Sequence, residues 1–287
     1  MDKKKKTLVF SFTEISNFEN ILDVIRNIKY FTKDFKTFFI VTIKDNIIIP
    51  KKLMENINNI DFLITKFPEN NWGTIYTLED YMESIRFLLK IKKIHFDFFI
   101  LFTSNSMFVK NFDKNYINVI EEYYKKNNIN YESTKKFYKK YFYNFLKKKE
   151  KEDDWYWLQY LKLDKGFINF CYERNYYIKN GPSEGLILNN FQTRFIFKKY
   201  EELNIVKNTT YPKYCLEEIF IHTVFYNYFG YLPLSITFRH DYKNPNWFDF
   251  KQKNELDIGF FSYKWFSRDI NDVNKVKLRI ESNNYEI

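Results

Sequence analysis

Two adjacent carboxylates stand at the head of an apolar run in "CLEEIFIHT", where Glu217 and Glu218 precede Ile219, Phe220 and Ile221. Acids in the first turn of a helix are favoured by its unpaired amides and its dipole. That is an ordinary way for a helix to begin. It is also a place to hold a carboxylate ready to take a proton from a hydroxyl as a general base. A second candidate is the polar turn Ser104-Asn105-Ser106, which closes the apolar run "FDFFILF". Such a turn either hydrogen-bonds a ligand at a sheet edge or simply ends a strand, and its spacing serves both readings. The third is the basic tail "SYKWFSRDINDVNKVKLR", with Lys264, Arg268, Lys275 and Arg279. Two or three such cations would clamp a diphosphate, Arg as a fork and Lys as a point charge. They would then take the place of a metal behind a departing nucleotide. A solvated basic helix is the plainer alternative. The fourth is "NGPSEG", a tight loop forced by Gly181, Pro182 and Gly185, from which Ser183 and Glu184 are expected to project. It would face a sugar, or merely connect two elements.

Other chemistries lack their residues. His95, His222 and His240 have no ligand spacing. Asp153-Asp154 lies in a charge run, and Asp269 and Asp272 follow no strand, so no carboxylate metal site is expected. Neither a Walker loop nor GxGxxG is present.

The elements that must position these residues are legible as apolar runs. "TLVFSF" (Thr7 to Phe12), "KTFFIVTI", "DFLITK" and "FDFFILF" read as strands. Between them, "SNFENILDVIRNI" offers a capping box (Ser16 with Glu19) and helical spacing of Phe18, Ile21, Leu22, Ile25 and Ile28. Pro50 is expected to open a short helix through Ile57. "NWGTIYTLEDYMESIRFLLKI" reads as a turn at Gly73, a cap at Thr77 and a helix with Tyr81, Ile85, Leu88 and Leu89 on one face. This alternation argues a mostly parallel α/β sheet of Rossmann type with flanking helices. Ligands of such sheets bind beyond the carboxyl ends of the strands, where Ser104 to Ser106 would lie. The stretch from Tyr123 to Asp154 is Lys- and Tyr-rich and reads as a helical excursion or a loop. Beyond it, "GFINFCYE" reads as strand-like, and helices are expected from Asn190 to Glu202 and through "KYCLEEIFIHTVFYNYFG" to a stop at Gly230. A soft boundary near Asp154 divides a repeating βα half (1–154) from a mixed half (155–287) of one continuous domain.

The composition of the 287 residues fits a folded domain, with 45% hydrophobic residues of which aromatics are abundant. Alanine is absent and Lys, Asn, Ile, Phe and Tyr dominate, which reads as the codon usage of an AT-rich genome. The net charge of +10 suits an anionic partner such as a nucleotide, a nucleic acid or an anionic membrane. Cys171 and Cys215 form no framework, so a reducing, cytoplasmic setting is expected. No apolar run approaches the ~20 residues of a membrane span, and "TLVFSF" is too short for a signal-peptide core.

In order along the chain, these motifs resemble the core-2/I-branching β-1,6-N-acetylglucosaminyltransferases and their bacterial and giant-virus relatives. The resemblance runs from Thr7 to Arg279. It rests on "NWGTIYTLEDYMESIRFLLK", "FDFFILFTSNSMFVKN", "GPSEG", "LEEIFIHT" and "YKWFSRDIND". It implies a GT-A-like fold and an inverting transfer of a sugar from a nucleotide-sugar donor to a glycan or lipid-linked glycan acceptor. Glu218 would be the base and Glu217 its acidic neighbour. Trp72, Gly73, Ser104, Asn105, Ser106, Ser183, Glu184 and Gly185 would contact substrate. Lys264, Arg268 and Lys275 would hold the donor diphosphate. In that family a polar turn stands where other glycosyltransferases keep two metal-binding aspartates, so no metal and no other cofactor is expected. The chain departs from the animal enzymes in having no anchor, no disulfide set and "SEGLIL" in place of a tryptophan-containing loop. A surface-glycan acceptor would be met at the inner membrane, where the basic runs Lys3 to Lys6 and Lys147 to Lys149 would add ~1 kcal/mol per Lys or Arg of peripheral attraction. The competing reading is a basic nucleic-acid binder whose Tyr/Lys mix tracks phosphates and stacks bases, although no nucleic-acid motif is present. A decayed, non-catalytic transferase fold is a third.

Overall fold

Strand β1 (Thr7–Ile15) lies at the centre because its apolar run is buried on both faces, with Leu8, Val9, Phe10 and Phe12 fully covered. The computed structural model describes residues 5–15, 18–44, 60–66, 74–104, 106–108, 111–127, 136, 138–147, 157–204, 208–239 and 262–264. After β1 come α1 (Phe18–Phe31), β2 (Lys36–Lys44), β3 (Phe62–Lys66) and α2 (Tyr76–Arg86), which runs on as a π-helix over Phe87–Lys92. Then follow β4 (Phe98–Phe102), β5 (Ser106–Phe108), α3 (Lys114–Lys126), α4 (Lys139–Lys147), α5 (Leu158–Leu161) and α6 (Lys165–Glu173). The chain continues through β6 (Ile187–Asn189), α7 (Asn190–Leu203), α8 (Glu217–Phe229), β7 (Thr237–Arg239) and β8 (Ser262–Lys264).

The main sheet has the order β3-β2-β1-β4-β6. β1, β2, β3 and β4 are mutually parallel, and β6 closes the edge antiparallel to β4. The mostly parallel α/β sheet expected from the alternation is the sheet observed. β6 comes from beyond Asp154 and pairs with β4 through Asn189↔Phe98 and Ile187↔Ile100. The chain moves outward from β1 to β3 and then returns to β4 on the other side of β1. The switch point therefore lies between the carboxyl ends of β1 and β4.

The helices cover this sheet with the faces their spacing predicts: Ile21, Leu22, Ile25 and Ile28 of α1, and Tyr81, Ile85 and Leu88 of α2 and its π-helical continuation, are buried, Leu89 is half-buried, and Leu78 and Met82 are buried as well. All five residues of β4 are buried. Each Phe or Leu so covered contributes ~1.5–3 kcal/mol relative to exposure. Phe10 links three neighbouring strands of the sheet, stacking on Phe39 of β2 (5.7 Å) and meeting Phe102 of β4 edge-on (5.8 Å, 89°).

Two expectations change, and a third, left open between helix and loop, resolves. Gly166–Glu173 is the body of helix α6, not a strand. Asp164 caps it by accepting the Phe167 N–H (3.1 Å), and Phe167, Phe170 and Cys171 bury one helical face. Thr77 is a buried residue inside α2, whose N-cap position is Ile75. The Tyr123 to Asp154 stretch holds the end of α3 and all of α4. The Ser16–Glu19 box and the Pro50 helix lie outside the described residues. Among the described residues no helix is long and apolar enough to cross a membrane.

A smaller sheet, β5-β8-β7, sits beyond the end of β4. Its strand β5 is held from the side by one side chain of α1. The buried Asn27 carboxamide donates to the Phe108 carbonyl (2.9 Å) and accepts the Phe108 N–H (2.7 Å), acting as a one-residue strand. Replacing it by Leu keeps the branched outline of the side chain, at somewhat greater bulk, and leaves both backbone groups buried without partners. Asn27→Leu is expected to lower the unfolding free energy by about 2–3 kcal/mol in urea titration, with an unchanged denaturant slope.

Candidate active site

The polar turn after β4 stands at the switch point. It is closed by its own hydroxyls: the Ser106 N–H bonds the Thr103 carbonyl (3.2 Å), and Thr103 Oγ1 lies 2.8 Å from Ser106 Oγ. Ser106 is fully buried and Ser104 half-buried. Ser106 is thus a turn-closing residue whose hydroxyl is engaged with Thr103, and Ser104 is the member that reaches the surface. Across the small sheet, Ser106 lies in register with Lys264 and Phe108 with Ser262. The head of the basic tail therefore runs alongside the turn. β7 flanks it on the other side, with Arg239 in register with Lys264.

The acidic pair opens α8 as expected, with Glu217 and Glu218 in its first turn and both largely buried. The segment in front of α8 is pinned by Asp164. That carboxylate accepts from the Thr210 N–H (2.9 Å) and the Tyr214 hydroxyl (2.7 Å) while capping α6. Burial first, and then the neighbouring Asp164 carboxylate, push the Tyr214 phenol well above its ordinary pKa. It stays a donor, and the approach to Glu217 stays fixed.

One extended segment, Tyr177 to Gly181, lies along α8 and is held by its side chains. Asn227 Oδ1 accepts the Tyr177 N–H (2.8 Å) and Asn227 Nδ2 donates to the Tyr177 carbonyl (2.7 Å). One turn earlier, Thr223 Oγ1 accepts the Lys179 N–H (2.9 Å) and donates to the Lys179 carbonyl (3.0 Å). Another turn on, the Gly181 N–H donates to the Glu218 carbonyl (3.0 Å). Gly181 rests on the next residue of that face, His222: a Cβ there would lie 2.6 Å from His222 Nε2.

From Gly181 the "NGPSEG" loop crosses to the sheet. The Gly185 N–H bonds the Leu101 carbonyl at the end of β4 (2.6 Å), and its own carbonyl accepts the Ile236 N–H (2.9 Å). Gly185 has φ of 72°, and a Cβ on it would lie 2.1 Å from Thr237 Oγ1, so position and conformation both demand glycine. Four residues span at most about 14 Å, so this strap ties the first turn of α8 closely to the switch point. Ser183 and Glu184 do not project from it; both are buried. The reason is that the loop is clamped on both sides: Gly185 is bonded to Leu101 and Ile236, and Ser235 Oγ donates to the Glu184 carbonyl (2.8 Å).

The described structure thus gathers Glu217, Glu218, Ser104, Ser106, Ser183, Glu184, Gly185 and the backbone of Lys264 into one connected region. Trp72, Gly73, Asn105, Arg268, Lys275 and Arg279 lie outside the described residues. Among the described residues no group of three or more His, Cys, Asp or Glu side chains is arranged to hold a metal ion. The sequence reading passed over the residues that hold the region together: Thr223, Asn227, Asp164, Ser235, Thr237 and Ser262. Thr223 and Asn227 had a readable signal, a polar pair one turn apart in an otherwise apolar helix.

No protein-family model matches the chain, and no curated protein does. Among solved structures, the matches include fungal mannosyltransferases. One is the mannosyltransferase Ktr4p of S. cerevisiae, at 12% identity over 44% of this chain and 38% of that one, with a TM-score of 0.27. Its complex with GDP aligns over 79% of this chain and 67% of that one at 12% identity, TM-score 0.38. Core-mannan synthase A (CmsA/Ktr4) of Aspergillus fumigatus, in its Mn/GDP form, aligns over 79% and 70% at 9% identity, TM-score 0.39.

The strap has a direct test. Gly185→Ala places an L-residue at positive φ and a methyl against Thr237. Its stability is expected to fall by at least the roughly 1–3 kcal/mol of the backbone strain, read as a lower urea midpoint.

Proposed function

We propose that the chain is an inverting, metal-independent glycosyltransferase that moves a hexosyl or N-acetylhexosaminyl group from a nucleotide sugar to a glycan hydroxyl, of the kind built into surface polysaccharides. The observation that supports it best is the pairing of Ser106 with Lys264 at the switch point of a 3-2-1-4 parallel sheet. Such a switch point is where α/β sheets bind nucleotides. Here a turn of hydroxyl and amide side chains meets the head of a basic segment. The motif order along the chain, which resembles the core-2/I-branching enzymes, points the same way.

In this reading Glu218 takes the proton of the acceptor hydroxyl. The acceptor oxygen forms its bond to the anomeric carbon as the bond from that carbon to the diphosphate oxygen breaks. The nucleoside diphosphate leaves with the electron pair. Charge moves from the acceptor oxygen to the diphosphate, and the sugar becomes oxocarbenium-like between them. A base on one side and fixed cations on the other are worth most at that point. Lys264, Arg268 and Lys275 would supply the cations. The turn offers Ser104, Asn105 and Ser106 but no carboxylate, so a divalent ion would find no acidic ligand there. Glu217, beside the base, would orient the acceptor, with Trp72 and Gly73 on the donor side, and the buried Ser183–Gly185 strap would hold the first turn of α8 against the switch point.

The test is nucleotide release from a panel of nucleotide sugars with EDTA present. Release from one donor, undiminished by EDTA, is expected, and Glu218→Gln should lower its rate ~10²–10⁴-fold. Release that requires restored Mg²⁺ or Mn²⁺ would overturn the metal-independent step. Near-normal turnover by Glu218→Gln would remove Glu218 from its role.

A further inference from the structure

Between Lys136 and Lys147 the chain carries four lysines, Lys136, Lys139, Lys140 and Lys147, and no acid. Most of this stretch is α4, a surface helix that buries Phe142 and little else. Tyr138, Tyr141 and Tyr143 are 53%, 61% and 47% exposed, far more than tyrosines with a packing role. Glu173, at the end of the adjoining α6, is paired with Arg174 (4.0 Å), so among the described residues it leaves the positive face largely uncompensated.

The tyrosine rings are set against one another. Tyr138 meets Tyr141 edge-on (5.8 Å, 84°), Tyr143 lies against Tyr172 (6.1 Å), and the Lys139 ammonium sits over the Tyr172 ring (5.1 Å). The Tyr172 face is covered by the Lys139 ammonium, which removes it as a platform for the base stacking that nucleic-acid binding by aromatics needs. Hydroxyl-tipped rings beside lysines on an exposed helix suit a different partner. Tyrosine is favoured at the membrane–water interface, and lysines beside it are drawn to anionic headgroups while their stems cover apolar surface.

We propose that α4, together with Lys136 and Tyr138 just before it, docks on the surface of an anionic lipid bilayer. The face is firmly tied to the rest of the molecule: the Tyr177 hydroxyl donates to the Lys136 carbonyl (2.9 Å) and accepts the Tyr138 N–H (2.7 Å). Tyr177 is also the residue whose backbone Asn227 grips, at the start of the segment leading to the Gly181 strap. Docking at α4 therefore sets the height and tilt of the switch point above the membrane. The proposal does not depend on the transfer chemistry and stands or falls separately from it.

The experiment is co-sedimentation of the full chain with phosphatidylcholine vesicles, with and without phosphatidylserine. Binding should require phosphatidylserine and weaken with added salt. At about fivefold in partitioning per lysine near the surface, Lys139→Gln/Lys140→Gln should bind about 25-fold more weakly. Lys114→Gln/Lys126→Gln, the same charge change on α3, should lose little. Tyr141→Ser/Tyr143→Ser, which alters no charge, should also weaken binding. All of these side chains are exposed, and circular dichroism with urea unfolding checks that the fold is kept. The proposal is overturned by absence of phosphatidylserine-dependent sedimentation, by equal losses in the α3 and α4 variants, or by α4-dependent binding of a single-stranded oligonucleotide without vesicle binding.

Discussion

The grip of Asn227 on the backbone of Tyr177, repeated one turn earlier by Thr223 on Lys179, is the contact on which the candidate site depends. An extended segment crossing a helix has a whole edge of peptide groups to satisfy, and a helix surface offers no backbone partners in return. Two short polar side chains spaced by one turn solve this by presenting a donor and an acceptor each. The match of period is what makes it work: residues four apart on a helix lie about 6 Å apart along its axis, close to two residues of extended chain. Gly181 then reaches the Glu218 carbonyl in step with the same ladder. Without that register the strap would leave α8 at another angle, and Glu218 and the end of β4 would not be joined by five residues.

The same device recurs, and the composition explains why. The chain has no alanine, few glycines and many Phe and Tyr residues, so its interior is filled by large rings. Rings hold elements apart. At several described places outside the main sheet where two stretches of backbone come close, a short polar residue or a glycine intervenes. Asn27 does so for β5, Thr237 with Ser262 joins β7 to β8, and Ser235 holds the strap. Asn27, Thr237 and Ser262 are buried, Ser235 is half-buried, and each is bonded, as a polar group in a dry interior must be. The aromatic core supplies most of the burial energy but little orientation. The asparagines and hydroxyls supply the orientation, since losing one strands its backbone partner.

Much of the parallel half was legible because its strands are unbroken apolar runs and its helices keep a clean period. β1, β2, β3 and β4, α1 and α2 all fall where "TLVFSF", "KTFFIVTI", "DFLITK", "FDFFILF" and the intervening periodic stretches put them. The second half was less so, for identifiable reasons. "GFINFCYE" is rich in β-forming types, yet Asp164 in front of it caps a helix, and Phe167, Phe170 and Cys171 take a helical face. β6, β7 and β8 are three residues each, too short to carry a pattern, and β8 finds β5 more than 150 positions earlier in the chain. The "NGPSEG" loop was read as projecting because glycine and proline mark surface turns. Its burial depends on Leu101, Ser235 and Ile236 clamping it, which no local pattern announces. The acidic pair at the head of α8 was readable from spacing, but its tie to the switch point was not.

That distant pairing bears on how the site is assembled. The four parallel strands and their helices use mostly neighbouring segments, and contacts between near neighbours cost little loop entropy. The β5–β8 ladder closes a very long loop, and β7 adds to it in parallel. The parallel strands can therefore form while the polar turn after β4 is still open along the edge that β8 will occupy. In the proposed reading that edge is also where the donor diphosphate meets positive charge, and a carboxylate pair able to recruit a metal is missing from the turn itself. The cations must then be delivered by the strand that completes the small sheet. Closing the fold and charging the site become one event, and a chain that failed to seat Ser262–Lys264 would keep its parallel sheet while losing its grip on an anionic donor.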